Sequence, residues 1–241
     1  MSRPASGTPP SADACRRGRP PQSPAQQQAV RDRILEATRA VFTRVGYHGL
    51  SVELVIAEAG ISRPTFYKYF RNTDEPIEIV LADVNDRLIA HLVAATADRG
   101  DPFSTVEAGL TAWRTWGEDL GPMLRPLYSE LHDVHSPASR YRRRTLDILA
   151  ERFAAIVTGL GRPQPSRLLV DALLNGIEFL GYRYHLESPR DDASWKATRD
   201  AMLRLALGLL GNKAEWQMAV QLAQALHVDL DAHENAPEKP A

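Results

Sequence analysis

Between Ser23 and Leu210 the apolar residues recur three and four positions apart, and no stretch alternates with a period of two. That periodicity admits helices and excludes a sheet, so it predicts an all-α chain. The punctuation divides it. Ser23-Pro24-Ala25-Gln26 offers an N-cap serine, a proline in the first turn and a glutamine three after the cap, and Val30, Ile34, Ala37, Val41 and Val45 follow at helical spacing until Gly46. Ile77, Leu81, Val84, Leu88 and Leu92 outline a later helix, and residues 102–118, 122–134 and 138–160 read as three more, parted by Gly121-Pro122, Ser136-Pro137 and Gly161-Arg162-Pro163. Residues 166–187 and 191–210 read as two long helices that pack antiparallel about Ser188-Pro189, and residues 212–229 add a last amphipathic segment.

With 44% apolar residues in 241, the chain can fill a sizeable core. The Pro/Ser/Ala/Gly-rich residues 1–22 and the tail 231–241 lack the apolar content for one and are expected to be unstructured. Cys15 has no partner, which excludes a disulfide framework and fits a reducing cytoplasm. No apolar run approaches the ~18 residues of a membrane span, so a soluble protein without membrane contact is expected. Charge is lopsided. Residues 1–72 hold 11 Lys/Arg against 5 Asp/Glu, and the remainder holds 18 against 25, as expected of an anion-binding amino-terminal module on an acidic body.

Residues 51–70 give that module a shape. Ser51 can cap a helix of about two turns burying Val52, Val55 and Ile56, Gly60 can take the positive φ of a tight turn, and Ser62 can cap a second short helix that tolerates Pro64 in its first turn. Two such helices joined at a glycine form a helix-turn-helix. Its second helix presents Arg63, Pro64 and Thr65 toward base edges and Tyr67 and Lys68 toward phosphates, with Phe66 and Phe70 facing inward. The cap also offers backbone N–H groups to a phosphate.

In these residues the chain resembles the TetR family of bacterial regulators. The likeness runs from Ile34-Leu35-Glu36-Ala37 through Val41-Phe42, Gly46-Tyr47, Ala59-Gly60-Ile61-Ser62 and Thr65-Phe66-Tyr67 to Tyr69-Phe70 and about Leu81. It implies a three-helix DNA-binding head over residues 23–88 and a helical effector-binding and dimerisation bundle over residues 89–230. It implies too that the protein is a homodimeric regulator, a ligand-responsive repressor on a palindromic double-stranded operator. Departures lie after the recognition helix. Thr73 stands where the family commonly has a phosphate-contacting lysine, Pro76 replaces an apolar side chain, and Ile56 occupies a position usually held by a small residue. Asn72 and Glu75 can still cap the fourth helix, with one backbone bond lost at Pro76.

Beyond the head, Arg17 and Arg19 in Arg17-Gly18-Arg19-Pro20 resemble the minor-groove core of an AT-hook, beside the plainer reading of a basic, phosphate-attracted arm. Trp113, Trp116, Met123, Leu127, Phe153, Phe179 and Tyr182 are candidates for the lining of a cavity for an apolar or amphipathic effector. Leu169, Leu173, Gly176, Leu180, Met202, Leu205 and Leu209 are candidates for a two-fold interface, against the alternative of an ordinary intramolecular core. Arg140, Arg142, Arg143 and Arg144 read as a solvated helix face. The short run Glu130, His132, Asp133 and His135 lacks a complete ligand set, so neither metal nor cofactor is expected. No nucleophile elbow, phosphate-binding glycine loop or paired carboxylates point to an enzyme. The second functional reading is an architectural DNA-binding protein without effector control.

Overall fold

The structure, a computed structural model, describes residues 23–97, 102–159, 161–187, 189–210 and 221. Helices α1 (Pro24–Val45), α2 (Val52–Ala59), α3 (Arg63–Tyr69) and α4 (Asp74–Ala95) are followed by α5 (Pro102–Leu120), α6 (Leu124–Glu130), α7 (Pro137–Gly159), α8 (Arg167–Leu186) and α9 (Asp192–Leu210). Among the described residues there is no strand. The arm with Arg17 and Arg19, the 212–229 segment apart from residue 221, and the tail lie outside the described residues.

Helix starts follow the caps. Ser23 Oγ accepts from Gln26 N at 3.2 Å while Gln26 Oε1 accepts from Ser23 N at 3.0 Å, closing the expected reciprocal box, and Gly46 ends α1 at φ 70°. The segment read as one helix over residues 122–134 is broken. A 3₁₀ turn, Gly121–Met123, precedes α6, which stops at Glu130 because Asp133 Oδ1 takes the His135 N–H at 2.8 Å and Asp133 O takes that of Ser136 at 3.1 Å. The fourth helix starts with the expected Asn72 cap, Asn72 Oδ1 accepting from Glu75 N at 3.2 Å, but without the expected loss of a bond. Its first backbone bond runs from Ile77 N to Thr73 O, so Pro76 falls in the first turn, where N–H groups have no intrahelical acceptor, and no bond is lost.

Two clusters share α1. Ile34, Ala37, Val41, Val55, Ala59, Phe66 and Phe70 make the core of the head, while Phe42 joins Ile77, Leu81, Val84, Trp113, Trp116, Met123 and Tyr182 in the body. Leu35 and Leu50 pack against both. Ile56 is accommodated at the edge of the head core. In the body α4 is flanked by α5 and α7, and α8 packs against α9. Arg140 pairs with Glu78 at 2.5 Å and Arg144 with Asp86 at 3.1 Å, both on α4. Arg142 departs from the solvated-face reading. It turns inward to a bidentate pair with Glu178 on α8, with its side chain only 15% exposed.

Glycines permit close helix approach inside the chain. A Cβ on Gly176 would sit 2.4 Å from Leu205 Cδ2, and one on Gly181 would sit 2.2 Å from the Trp113 ring. Gly117 likewise admits the His185 ring of α8, 2.3 Å from a would-be Cβ. His185 is 5% exposed, and neither ring nitrogen has a hydrogen-bond partner among the described residues. Burial, reinforced by Arg190 and Arg114 and opposed by Glu118, pushes its pKa down to about 4.

The unfolded chain should therefore take up a proton near pH 6.5 that the fold refuses until about pH 4. Stability is unaffected above that window, falls as pH drops through it, and is reduced by up to ~3 kcal/mol at its acid end. Melting temperatures measured from pH 7.5 to 4.5 should fall more steeply for the wild type than for His185→Asn. Parallel curves would show that the ring does not ionise on unfolding.

Candidate nucleic-acid interface and effector cavity

The reading surface is built by local chemistry. Ser51 Oγ accepts from Leu54 N at 3.3 Å to start α2. At its end Gly60 adopts φ 61°, ψ 41°, its N–H reaches Ala57 O, and Ile61 N reaches Ile56 O at 3.1 Å, a left-handed closure that reverses the chain in three residues. Ser62 Oγ then accepts from Thr65 N at 3.4 Å and bonds Thr65 Oγ1 at 2.8 Å, which fixes the first turn of α3. Phe66 is fully buried and Phe70 nearly so, and they anchor α3 to the head.

That anchoring sets the outward face. Arg63, Pro64, Tyr67 and Lys68 are exposed, and Thr65 is partly covered by its own cap bond. Arg63 is held in place by an ion pair to Glu53 of α2 at 2.7 Å and by a contact to Tyr67 Oη at 3.5 Å, which together with the Glu53 charge raise its pKa. Both partners of the ion pair are more than half exposed, so the pair is worth only ~0–1 kcal/mol. A phosphate or guanine edge, at ~1–3 kcal/mol for a good bidentate contact, can take Arg63 from Glu53.

The position of Thr73 is different from the rest. It caps α4 through its carbonyl without a side-chain bond, next to Asp74 and Glu75. The nearby cation is Arg71, whose side chain is 90% exposed and paired with Glu75 at 2.5 Å. Glu75 also accepts the Arg71 backbone N–H at 2.8 Å, and these bonds, the backbone one foremost, hold its carboxyl below the usual range. Sequence reasoning passed over Arg71. Its place one residue past the buried Phe70 was the available signal.

Behind the head a cavity of about 80 Å³ is enclosed by α4, α5, α7 and α8, with smaller contributions from α6. Four of the seven expected residues line it, Trp113, Trp116, Leu127 and Tyr182. Met123 is packed in the same core without reaching the cavity wall, and Phe153 also lies off the wall. Phe179 points away, 53% exposed on the outer face of α8. The wall that periodicity missed is α4 and α7, with Leu81, Val84, Asn85 and Leu88 facing Tyr141 and Thr145. Its polar groups are few. Asn85 Oδ1 accepts from Thr145 Oγ1, Asn85 Nδ2 is buried with no hydrogen-bond partner among the described residues, and the Arg142–Glu178 pair closes one side.

The interface candidates divide by exposure. Leu173 and Met202 are fully buried within the chain, and Gly176 and Leu205 face each other across the α8–α9 contact. Leu180 and Leu209 are partly buried, and Leu169 is 42% exposed. Leu168 and Phe179 are 80% and 53% exposed and lie eleven residues apart, just over three turns, on one outward stripe.

Comparisons with known proteins agree with this arrangement. Residues 34–75 match the family model described as bacterial regulatory proteins, tetR family. Two proteins of Bacillus subtilis (strain 168) are 24% identical to this chain. They are the uncharacterized HTH-type transcriptional regulators YxaF, over 78 residues covering 32% of this chain and 41% of that one, and YfiR, over 127 residues covering 52% and 62%. The chain thus spans less than two thirds of either relative. The crystal structure of a bacterial regulatory protein in the tetR family from Rhodococcus RHA1 superposes with a TM-score of 0.59 at 20% identity, over 76% of this chain and 97% of that one. That likeness extends the shared fold through the helical body. Among the described residues no helix is long and apolar enough to cross a membrane.

Proposed function

From the match of residues 34–75 to the tetR-family model, we propose that this chain is a DNA-binding transcriptional regulator of the TetR family and acts as a homodimeric, effector-responsive repressor on a palindromic operator. Two copies would place their α3 helices in successive major grooves about one helical turn, ~34 Å, apart. Base edges would meet Arg63, Pro64 and Thr65, and phosphates would meet Tyr67 and Lys68. Arg71 would supply the charge that Thr73 does not. The outward stripe of Leu168 and Phe179, with Leu169 beside it, is the surface the partner copy would cover.

The observation that supports effector control is the ownership of the cavity wall. Leu81, Val84, Asn85 and Leu88 belong to α4, the helix that follows the reading head and carries Ile79 into the head core. At about 80 Å³ the cavity holds only a few waters, well below the ~300 Å³ of a typical ligand site. An effector must therefore move α4, α7 or α8 to enter, and movement of α4 carries the head with it. Apolar walls, a buried amide N–H and an ion pair at the edge suit a small amphipathic molecule. A differential affinity for the two head positions is all that release from DNA requires.

Footprinting the untagged full chain on the promoter region of its own gene, with sizing chromatography of the free protein and of the complex, tests this reading. A dimer protecting a two-fold symmetric site, released by a compound that also raises Tm, is the expected result. Protection of many unrelated A·T-rich sites, with no compound shifting Tm, would overturn it in favour of an architectural role.

A further inference from the structure

The turn after α1 and the end of α6 meet at a cluster that the reading surface and the cavity do not use. His48, Glu130 and Asp133 bring their nitrogen and oxygen donor atoms within 4.8 Å of one another. His48 Nε2 lies 2.5 Å from Asp133 Oδ2. The two carboxylates are built alike. Each has one oxygen tied to a backbone N–H, Glu130 Oε1 to Tyr47 at 3.0 Å and Asp133 Oδ1 to His135 at 2.8 Å, which fixes the carboxylate and leaves its other oxygen for the cluster. For Asp133 that oxygen faces His48. For Glu130, which is 7% exposed, Oε2 is buried with no hydrogen-bond partner among the described residues. A buried carboxylate oxygen left unpaired is costly, and a cation relieves it.

We propose that His48, Glu130 and Asp133 form a binding site for a divalent transition-metal ion that ties the DNA-binding head to the body. One imidazole and two carboxylates are a set for borderline cations such as Zn²⁺ or Co²⁺. Metal–ligand bonds of about 2.0–2.2 Å place tetrahedral donors roughly 3.3 Å apart. The cluster is of that size, with one pair at 2.5 Å and all the donor atoms within 4.8 Å of one another. Small side-chain rotations close the shell. The fourth position opens toward solvent, since the His48 side chain is 64% exposed. The ligands span the junction. His48 belongs to the turn between α1 and α2, while Glu130 ends α6 and Asp133 follows it, so the ion would bind only the conformer in which head and body are docked as here. His132, exposed and outside the cluster, takes no part.

The test uses the untagged, metal-stripped full chain titrated with Zn²⁺ by calorimetry and with Co²⁺ by visible absorption. One ion per chain is expected, with Tm raised by ~5–10 °C at a hundredfold excess over Kd. His48→Ala and Asp133→Asn should each weaken binding at least tenfold and reduce the Tm rise at the same ion concentration to about half or less, while leaving the metal-free Tm within a few degrees. His132→Ala should bind as the wild type does. The proposal is overturned if the wild type binds no ion at millimolar concentration, if His48→Ala binds as tightly as the wild type, or if His132→Ala loses binding. Because none of these readouts involves DNA, their failure leaves the reading of the head untouched.

Discussion

Gly181→Ala is expected to lower Tm by roughly 4–12 °C, although alanine is the better helix former by ~1 kcal/mol. The added methyl would stand 2.2 to 2.9 Å from three atoms of the Trp113 ring, more than 1 Å inside ordinary contact. The ring is held between two aromatic neighbours. Trp113 is 9% exposed, meets Tyr182 edge-on at 5.4 Å and leans on Trp116 at 6.1 Å, and all three line the cavity. Overpacking of this kind costs ~1–3 kcal/mol beyond the helix gain. Gly208→Ala on α9 is the matched comparison, because its Cβ would meet nothing within 4 Å and the substitution should raise Tm slightly. Thermal melts of the two variants should therefore move in opposite directions. If Gly181→Ala melts with or above the wild type, α5 and α8 do not approach as closely as described.

Arg63→Ala should weaken operator binding by ~5- to 150-fold, the equivalent of ~1–3 kcal/mol, and should leave Tm almost unchanged. The two halves of that expectation have separate causes. In the free protein Arg63 makes an exposed ion pair with Glu53, which contributes ~1 kcal/mol at most. On DNA it would lie at the front of α3 with its partner replaced by a base or a phosphate. Lys68→Ala should instead weaken binding evenly across sequences and reduce the slope of log K against log salt by about 1. Titrations at two salt concentrations, on the operator and on a scrambled fragment, distinguish the roles. An Arg63→Ala protein that binds the operator with wild-type affinity would remove this residue from the reading surface.

The local signals were legible because their physics is local. Ser23, Ser51 and Ser62 cap the helices they were expected to cap, and Gly46 and Gly60 take the positive φ their turns need. Periodicity identified which residues are apolar on each face, but it does not name the neighbour that covers the face. Hence Leu173 and Met202, candidates for a two-fold interface or an intramolecular core, lie in the core, and Phe179, a candidate for the cavity, faces outward. The inward turn of Arg142 depends on Glu178, 36 residues away, and the meeting of His48 with Asp133 spans 85. Neither pairing leaves a trace in the local spacing. Thr73 and Pro76 drew attention as departures from the family, yet the junction they occupy forms a regular helix start.

The division of α1 between two cores has a consequence for exchanging parts among relatives. Val41 belongs to the head and the adjacent Phe42 to the body, while Leu35 and Leu50 touch both. A graft cut at the end of the recognition helix would therefore carry away half of the seat on which α4 and α6 rest. Chimeras that keep this chain's Leu35, Phe42 and Leu50 beneath a foreign reading surface should fold and keep the proposed effector response, whereas whole-head transplants should lose stability.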